Sequence, residues 1–174
     1  VAAIDAGSSA EDQITTTEAV NADLTGTDNE LTASSINFTG INSANLTGGT
    51  LSGSDNADTF ELSGASLLAN NILFSAIDSL IDAKDGNDQV TGEAGTDWNL
   101  TENNNQLSST NFQFQNIETA NLVSAKLEGS NTSSETFEIS TAGNEVAVNG
   151  MSLTSVSSID AGTSTGDAIT TTES

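Results

Sequence analysis

Carboxylates are the only chemically active side chains that this sequence supplies in number. The 174-residue chain holds 25 Asp and Glu residues against two Lys, with no His and no Cys. A carboxylate pair such as Asp55 and Asp58 could in principle perform acid–base chemistry. No His or Arg is present to act as a base or to bind an acidic sugar, and one Trp offers little surface for stacking on sugar rings. The acidic residues also recur with an internal repeat, as structural corners do, so we expect no enzyme.

The net charge of the chain limits the classes of molecule that it can bind. A net charge of -23 at pH 7 repels nucleic acid and anionic lipid and attracts divalent cations. Screening at high ionic strength relieves the self-repulsion of such a surface. The sequence also has no long apolar run, so we expect neither nucleic-acid binding nor insertion into a membrane.

One stretch, residues 83–100, combines Asp residues with glycine turns. It contains two Gly-x-Asp units nine residues apart, Gly86-Asn87-Asp88 and Gly95-Thr96-Asp97. This stretch resembles the glycine-rich nonapeptide of RTX (hemolysin-type) calcium-binding repeats, in which turns expose carbonyl oxygens and Asp carboxylates complete a site for a hard cation. The resemblance implies a Ca²⁺ site formed by Asp85, Asp88 and Asp97.

The match to that nonapeptide is degenerate. Ala83-Lys84 stands where the family has Gly-Gly, and Asn99 occupies the apolar position. The alternative interpretation is an acidic turn whose Asp side chains cap backbone amides.

A long internal repeat organises the chain. The segment from Ile4 to Glu18 returns as Ile159 to Glu173 with 11 of 15 positions identical, and a looser copy begins at Ile81. A fixed period of this length is the signature of a repeat architecture. We predict one continuous repeat segment over 1–174, with boundaries near 4–80, 81–158 and 159–174, the third repeat being partial. Two periods and the start of a third favour a piece of a longer array.

A half-repeat of about 38 residues lies inside each 77-residue unit. The pattern Phe-x-x-Ile starts at Phe38, Phe74 and Phe114, and Leu153 begins a fourth, related copy. An Asp or Glu two residues before an apolar residue follows each of them. Two coils of roughly 19 residues would fit each half-repeat.

The local pattern indicates short strands. Apolar residues alternate with Thr, Ser, Asn or Glu, and Gly, Asn, Asp and Ser fill the gaps between the strands. Ala65 to Leu80 is the one stretch that could pass for a helix, and we interpret it as strand or loop. A unit this small cannot bury an apolar face alone, so stacking is required. We predict an all-β fold, a parallel β-solenoid, rather than a tandem β-sandwich, which would need a richer aromatic core in each module.

The repeat pattern of the chain, with its recurring Phe-x-x-Ile segments, resembles that of the repetitive stalk regions of very large secreted bacterial surface proteins. These include adhesins, biofilm-matrix proteins and surface-layer proteins. This resemblance implies an extracellular or cell-surface location and a structural role in a rod, fibre or surface layer. Exposed sheet edges at the ends favour self-association with identical repeats.

Two alternatives to this structural role stay open. One is a calcium-stabilised adhesin stalk that presents a separate ligand-binding domain. The other is an ice-binding face built on Thr15–Thr17 and Thr170–Thr172, although Thr91-Gly92 interrupts that run in the central copy.

Overall fold

A computed structural model describes residues 3–140 and 143–172, and every regular element in them is a β-strand. The strands are β1 (Ala3–Asp5), β2 (Gln13–Thr15), β3 (Ala22–Leu24), β4 (Glu30–Ala33), β5 (Ile36–Thr39), β6 (Ser43–Ser52), β7 (Thr59–Ser63), β8 (Ser66–Ala69), β9 (Ile72–Asp82), β10 (Gln89–Thr91), β11 (Trp98–Leu100), β12 (Gln106–Ser108), β13 (Gln113–Gln115), β14 (Thr119–Glu128), β15 (Thr136–Ser140), β16 (Val146–Val148), β17 (Met151–Asp160) and β18 (Ala168–Thr172). The stretch from Ala65 to Leu80 is β8 and most of β9, which confirms its assignment to strand.

The strands stack into two faces that enclose one core. The front face runs, in order of pairing, β2, the first part of β6, the first part of β9, β8, β7, β10, the first part of β14, the first part of β17, β16, β15 and β18. The back face runs β1, β5, β4, β3, the second part of β6, the second part of β9, β13, β12, β11, the second part of β14 and the second part of β17. The predicted all-β solenoid of stacked parallel coils is confirmed.

Four long strands pass from the front face to the back face by bending. Each bend contains a non-glycine residue with positive φ, namely Thr47, Ala76, Val123 and Ser155 in β6, β9, β14 and β17. Such backbone is costly for a β-branched residue. An Asn two residues earlier stabilises the bend at Thr47 and at Val123. The side chains of Asn45 and Asn121 each accept a hydrogen bond from the backbone N–H two residues later.

Antiparallel meanders interrupt the parallel stacking. The sets β3–β4–β5 and β11–β12–β13 lie on the back face, and β7–β8–β9 and β15–β16–β17 lie on the front face. The strand that closes each meander contains the Phe that begins the Phe-x-x-Ile pattern, or Leu153 in the fourth copy. The half-repeat is thus one meander, and successive meanders alternate between the two faces.

The predicted coil length of about 19 residues is wrong. Parallel partners are 28 to 34 residues apart in sequence, as in Gly49↔Ile77 and Ala3↔Asn37. The hairpins explain the difference, because the chain reverses twice within each half-repeat before it continues around the stack. The hairpins belong to the same ladder as the parallel strands and form no separate module.

The 77-residue unit corresponds to five strand positions on each face. On the back face β1, the second part of β9 and the second part of β17 occupy the first, sixth and eleventh positions, and β2, β10 and β18 do so on the front face. With strands about 4.8 Å apart, each repeat adds roughly 24 Å across the strands.

Aromatic rings fill the space between the faces near the middle of the stack. Phe60 of the front face lies 5.9 Å from Phe114 of the back face, measured between ring centroids, and Trp98 lies 6.2 Å from Phe114. All three side chains are buried. Burial of each contributes about 1.5–3 kcal/mol, so this cluster ties the two faces together.

The three copies of the Ile-Asp-Ala motif share one turn. Asp5, Asp82 and Asp160 each accept a hydrogen bond from the backbone N–H two residues later, at Gly7, Lys84 and Gly162. All three acceptors of this turn end a back-face strand, and all three donors have positive φ. This turn directs the chain from the back face to the front face.

Candidate functional site: the carboxylate ladder

Three acidic residues stand directly before neighbouring front-face strands. Asp58, Asp88 and Glu118 precede β7, β10 and β14. The Asp58 N–H donates to Asp88 Oδ1 at 2.7 Å, and the Asp88 N–H donates to Glu118 Oε2 at 2.8 Å. We call these three residues the carboxylate ladder. Each of its links joins a backbone amide to the side chain of the next strand position.

The same link occurs near both ends of the stack. The Asp12 N–H donates to Asn42 Oδ1 at 3.2 Å, and the Glu135 N–H donates to Asp167 Oδ1 at 2.9 Å. Asp88 caps the backbone amide of Asp58, as the alternative interpretation of its turn expects. Charged acceptors strengthen such bonds relative to neutral ones.

The carboxylates of the ladder differ in how fully they are paired. Asp58 accepts hydrogen bonds from Ser54 N–H and Oγ–H on one oxygen and from Asn70 Nδ2 on the other. Glu118 Oε1 accepts from Asn105 Nδ2 at 3.2 Å. Asp88 Oδ2 is buried and accepts no hydrogen bond from the described residues.

Burial governs the protonation of Asp88. The side chain is 0 % exposed, and desolvation raises the pKa of this carboxyl from 3.8 to about 6. The hydrogen bond from Asp58 N–H opposes the rise in pKa, and the charges of Asp58, Glu118 and Asp85 add to it. Desolvation and like charge both disfavour the ionised form.

The structure separates the predicted calcium ligands. Asp85 is exposed in the same turn as the buried Asp88, whereas Asp97 is exposed beyond β10, next to the start of β11. Within 3–140 and 143–172, no three acidic side chains are grouped so that they could hold a metal ion. A calcium ion at Asp85, Asp88 and Asp97 therefore stays a prediction from the resemblance.

Packing accounts for one glycine of the Gly-x-Asp units without a metal. A Cβ at Gly86 would lie 2.6 Å from the backbone oxygen of Asn56 in the preceding turn. The two turns approach so closely that only glycine fits there.

Glu118 of the ladder and Asn42, the acceptor of the Asp12 amide, have a sequence signal that the pattern of acid and apolar residues did not include. Glu118 stands two residues before the buried Ala120, and Asn42 stands two residues before the buried Ala44. Counting Ala as the apolar residue and Asn as an acceptor would have found both. Asn70 has no such signal, because it reaches Asp58 from a hairpin turn.

Within residues 3–140 and 143–172, outward Thr residues form no continuous column along the front face. Thr15 pairs with Asn45, and Asn45 pairs with Ser75. Further along, Thr59 pairs with Gln89 and Gln89 with Thr119. The face presents mixed hydroxyl and amide groups, which is not the repeated Thr array that the ice-binding alternative requires.

Comparison with known proteins finds no family model, no curated protein and no solved structure that matches this chain. Among the described residues, no helix has the length and apolar character needed to cross a membrane. The stacked fold and the carboxylate ladder are therefore the basis of any functional proposal.

Proposed function

We propose that this chain is a structural, non-catalytic segment of an extracellular repetitive protein, and that it forms a rod, fibre or surface layer by stacking of β-coils. The observation that carries this proposal is the unbroken strand pairing from β1 to β18, in which each 77-residue repeat advances both faces by five strand positions. A bacterial cell-surface location rests on the resemblance to secreted stalk regions.

The geometry suits a rod because its length follows the number of repeats. Each further repeat would add about 24 Å without altering the cross-section. Backbone hydrogen bonds between strands, together with the amide-to-carboxylate links before the front strands, would carry load along the stack. The acidic surface would keep neighbouring rods soluble at low ionic strength.

Rod growth is tested by inserting one further copy of residues 81–158 after Ser158. Small-angle scattering should show the maximum dimension rising by about 24 Å with an unchanged cross-sectional radius. A matched control carries the same insert with Phe114→Asp in both copies, which should disrupt the core. A larger cross-section at constant length would reject the rod.

The second candidate is a calcium-stabilised adhesin stalk, and the free Oδ2 of buried Asp88 favours it. Thermal melting at pH 7.5 in millimolar Ca²⁺ and in chelator is the test. A calcium stalk predicts that Ca²⁺ raises the melting temperature and that Asp88→Asn abolishes the rise, while Glu11→Gln, an exposed control, does not. Equal melting temperatures in Ca²⁺ and chelator would reject the stalk.

A further inference from the structure

The two faces of the stack differ in charge. On the back face, carboxylates occupy six outward strand positions, namely Asp5, Asp23, Glu30, Asp82, Glu128 and Asp160. On the front face, Glu61 and Glu138 are the only charged residues among the outward positions of the described strands. The other outward residues are mostly Thr, Ser, Asn and Gln, and none of them is aromatic. In a chain with a net charge of -23, the front face is therefore the surface on which a second acidic molecule meets the least repulsion.

The first repeat carries an apolar ridge on this face. Leu68 of β8 and Leu73 of β9 lie side by side, because the two strands pair them directly. The Leu73 side chain is 41 % exposed. Strands β6 and β7 flank the pair, so the exposure of this ridge does not depend on where the chain begins or ends.

The second repeat has a recess at the corresponding place. Ala147 of β16 and Ser152 of β17 are paired directly, at the positions that Leu68 and Leu73 occupy in the first repeat. Their small side chains line a recess of about 430 Å³. Strands β14 and β15 flank the recess, and β18 lies beyond β15. The recess is therefore inside the front face and not at its edge.

We propose that the front faces of two copies of this chain pack against each other, with the ridge of each copy in the recess of the other. The occupant of the recess is thus Leu68 and Leu73 of a second copy. Both copies use the same surface, so the contact is two-fold symmetric, and the two rods run antiparallel. The inference rests on the proposed structural role and deepens it by naming a lateral surface.

A two-fold axis at β10 satisfies both contacts at once. The ridge occupies the third and fourth strand positions of the front face and the recess occupies the eighth and ninth, so β10, the sixth of eleven, lies midway. The whole front face of each copy then overlaps with that of the other. With strands about 4.8 Å apart and about five residues long, the overlap is roughly 770 Å² per copy, close to the area of about 800 Å² that each partner buries in a standard interface.

The sideways offset between ridge and recess sets the angle between the two sheets. The ridge lies in the same cross-strand row as Thr91 of β10, and the recess lies in the row of Gln89. The two rows are thus two residues apart along the strands, over a separation of about 24 Å across them. The ridges reach the recesses when the strands of the two copies cross at about 30°, which is the angle of aligned β-sandwiches.

The carboxylates of the described front-face strands avoid one another in this arrangement. Glu61, at the fifth position, faces β14 of the second copy, where the outward residues are Thr119 and Asn121. Glu138, at the tenth position, faces two uncharged residues of β6. The repulsion that remains comes from the turns and the back faces, and salt screens it. We expect a dimer in molar salt and a monomer in dilute buffer.

Cysteine cross-linking tests the position of the axis, since the chain has no cysteine of its own. Gln89 of β10 is exposed and lies beside the axis, so the single substitution Gln89→Cys brings two cysteines face to face. A short bismaleimide spans the separation of about 10 Å between packed sheets. In molar salt the yield of covalent dimer should be at least ten-fold higher than with Gln113→Cys, a control position on the back face.

Substitutions in the ridge and the recess test the contact itself in the Gln89→Cys background. Leu73→Asp should lower the yield of dimer at least ten-fold. Leu80→Asp is the matched control, because Leu80 is 43 % exposed and lies on the back face, and it should leave the yield unchanged. Ala147→Leu fills the recess without adding charge and should lower the yield as Leu73→Asp does.

Equal cross-linking of the Gln89→Cys and Gln113→Cys variants overturns the proposal, and so does a dimer that survives both Leu73→Asp and Ala147→Leu. Retention on a neutral dextran resin without any dimer would assign the face to a glycan and would also overturn it. If an inserted repeat still lengthens the rod, the structural role stands and only the lateral contact is wrong.

Discussion

The interior and terminal copies of the Ile-Asp-Ala motif have the same local structure and different surroundings. All three copies make the turn at Asp5, Asp82 or Asp160 and lead into a front-face strand. The interior Ile81 is 0 % exposed, whereas Ile4 at the start of the stack is 43 % exposed. The comparison teaches that the sequence of each motif determines its turn, while strand neighbours on both sides determine how much it stabilises the fold.

The largest expected difference comes from truncating the apolar residue of the motif. Ile81→Ala should lower the free energy of unfolding by about 3–4 kcal/mol, because it leaves a cavity in a fully packed core. Ile4→Ala should cost less than about 1 kcal/mol, since the side chain is already half in solvent. Urea unfolding of both variants checks this, and equal losses would contradict the comparison.

The acidic residue directly before the front-face strand that follows each motif should behave oppositely in the interior and terminal copies. Burial raises the pKa of interior Asp88 to about 6, whereas hydrogen bonds from Glu135 N–H and the Ser164 hydroxyl lower the pKa of terminal Asp167. A raised pKa stabilises the fold fully below about pH 4, and this contribution is lost as the pH rises through 6. A lowered pKa stabilises the fold above the unfolded value, and this contribution is lost as the pH falls.

Asp88→Asn should therefore raise the free energy of unfolding by about 2–3 kcal/mol at pH 7.5 and leave it unchanged below pH 4. The Asn side chain still accepts the amide hydrogen bond, as Asn42 does from Asp12. Asp167→Asn should give no gain at pH 7.5. Chemical unfolding across pH 3.5–8 measures both variants, and a gain from Asp167→Asn would refute the opposite signs.

The interior copy has a glycine, Gly92, where the first copy has Thr16. A Cβ at Gly92 would lie 2.9 Å from Trp98 Nε1, whereas the counterparts in the first copy are Thr16 and Ala22. Gly92→Thr should cost about 2 kcal/mol by overpacking. A double-mutant cycle with Trp98→Ala measures the clash, and the two changes should couple by about 1 kcal/mol or more. Additive effects of the two substitutions would show that the contact with Trp98 is not the reason for glycine at position 92.

The smallest effect concerns the turn itself. Lys84 has φ 68° where the terminal copies have glycine, and its ammonium pairs with Asp23 at 3.0 Å. Lys84→Gly should gain about 0.5–1 kcal/mol of stability in an Asp23→Asn background, because the exposed ion pair is already absent there. Thermal melting of the single and double variants checks the gain, and a loss in that background would mean that the turn is unstrained.

Stacked strands could be predicted from the sequence because their signals are local and repeated. Alternation such as Thr59-Phe60-Glu61-Leu62 places every second residue inward, and the structure buries Phe60 and Leu62. The coil length could not be predicted in the same way. The hairpin turns at Ser34-Ser35 and Asn70-Asn71 have positive φ at both positions, a conformation in which Asn is common and Ser is not, so only the second has a recognisable signal.

Two members of the carboxylate ladder follow a local pattern that is visible in the sequence. The spacing of acid and apolar residues locates Asp58 and Asp88 on neighbouring strands, and these are two members of the carboxylate ladder. The sequence does not show that β10 separates Asp88, directly before this strand, from Asp97, which follows it. The resemblance to the calcium-binding nonapeptide grouped Asp97 with Asp88, and Asp97 lies beyond the strand.

The short reach of the pairings has a consequence for how the chain folds. No strand pairing among the described residues joins positions more than 34 apart, as in Ala3↔Asn37. The loop that must close before each strand can dock therefore stays the same size however many repeats are added, and its entropy cost stays constant. Folding can begin at any repeat and propagate strand by strand, so the rate at which a strand docks should depend on repeat composition and not on total chain length.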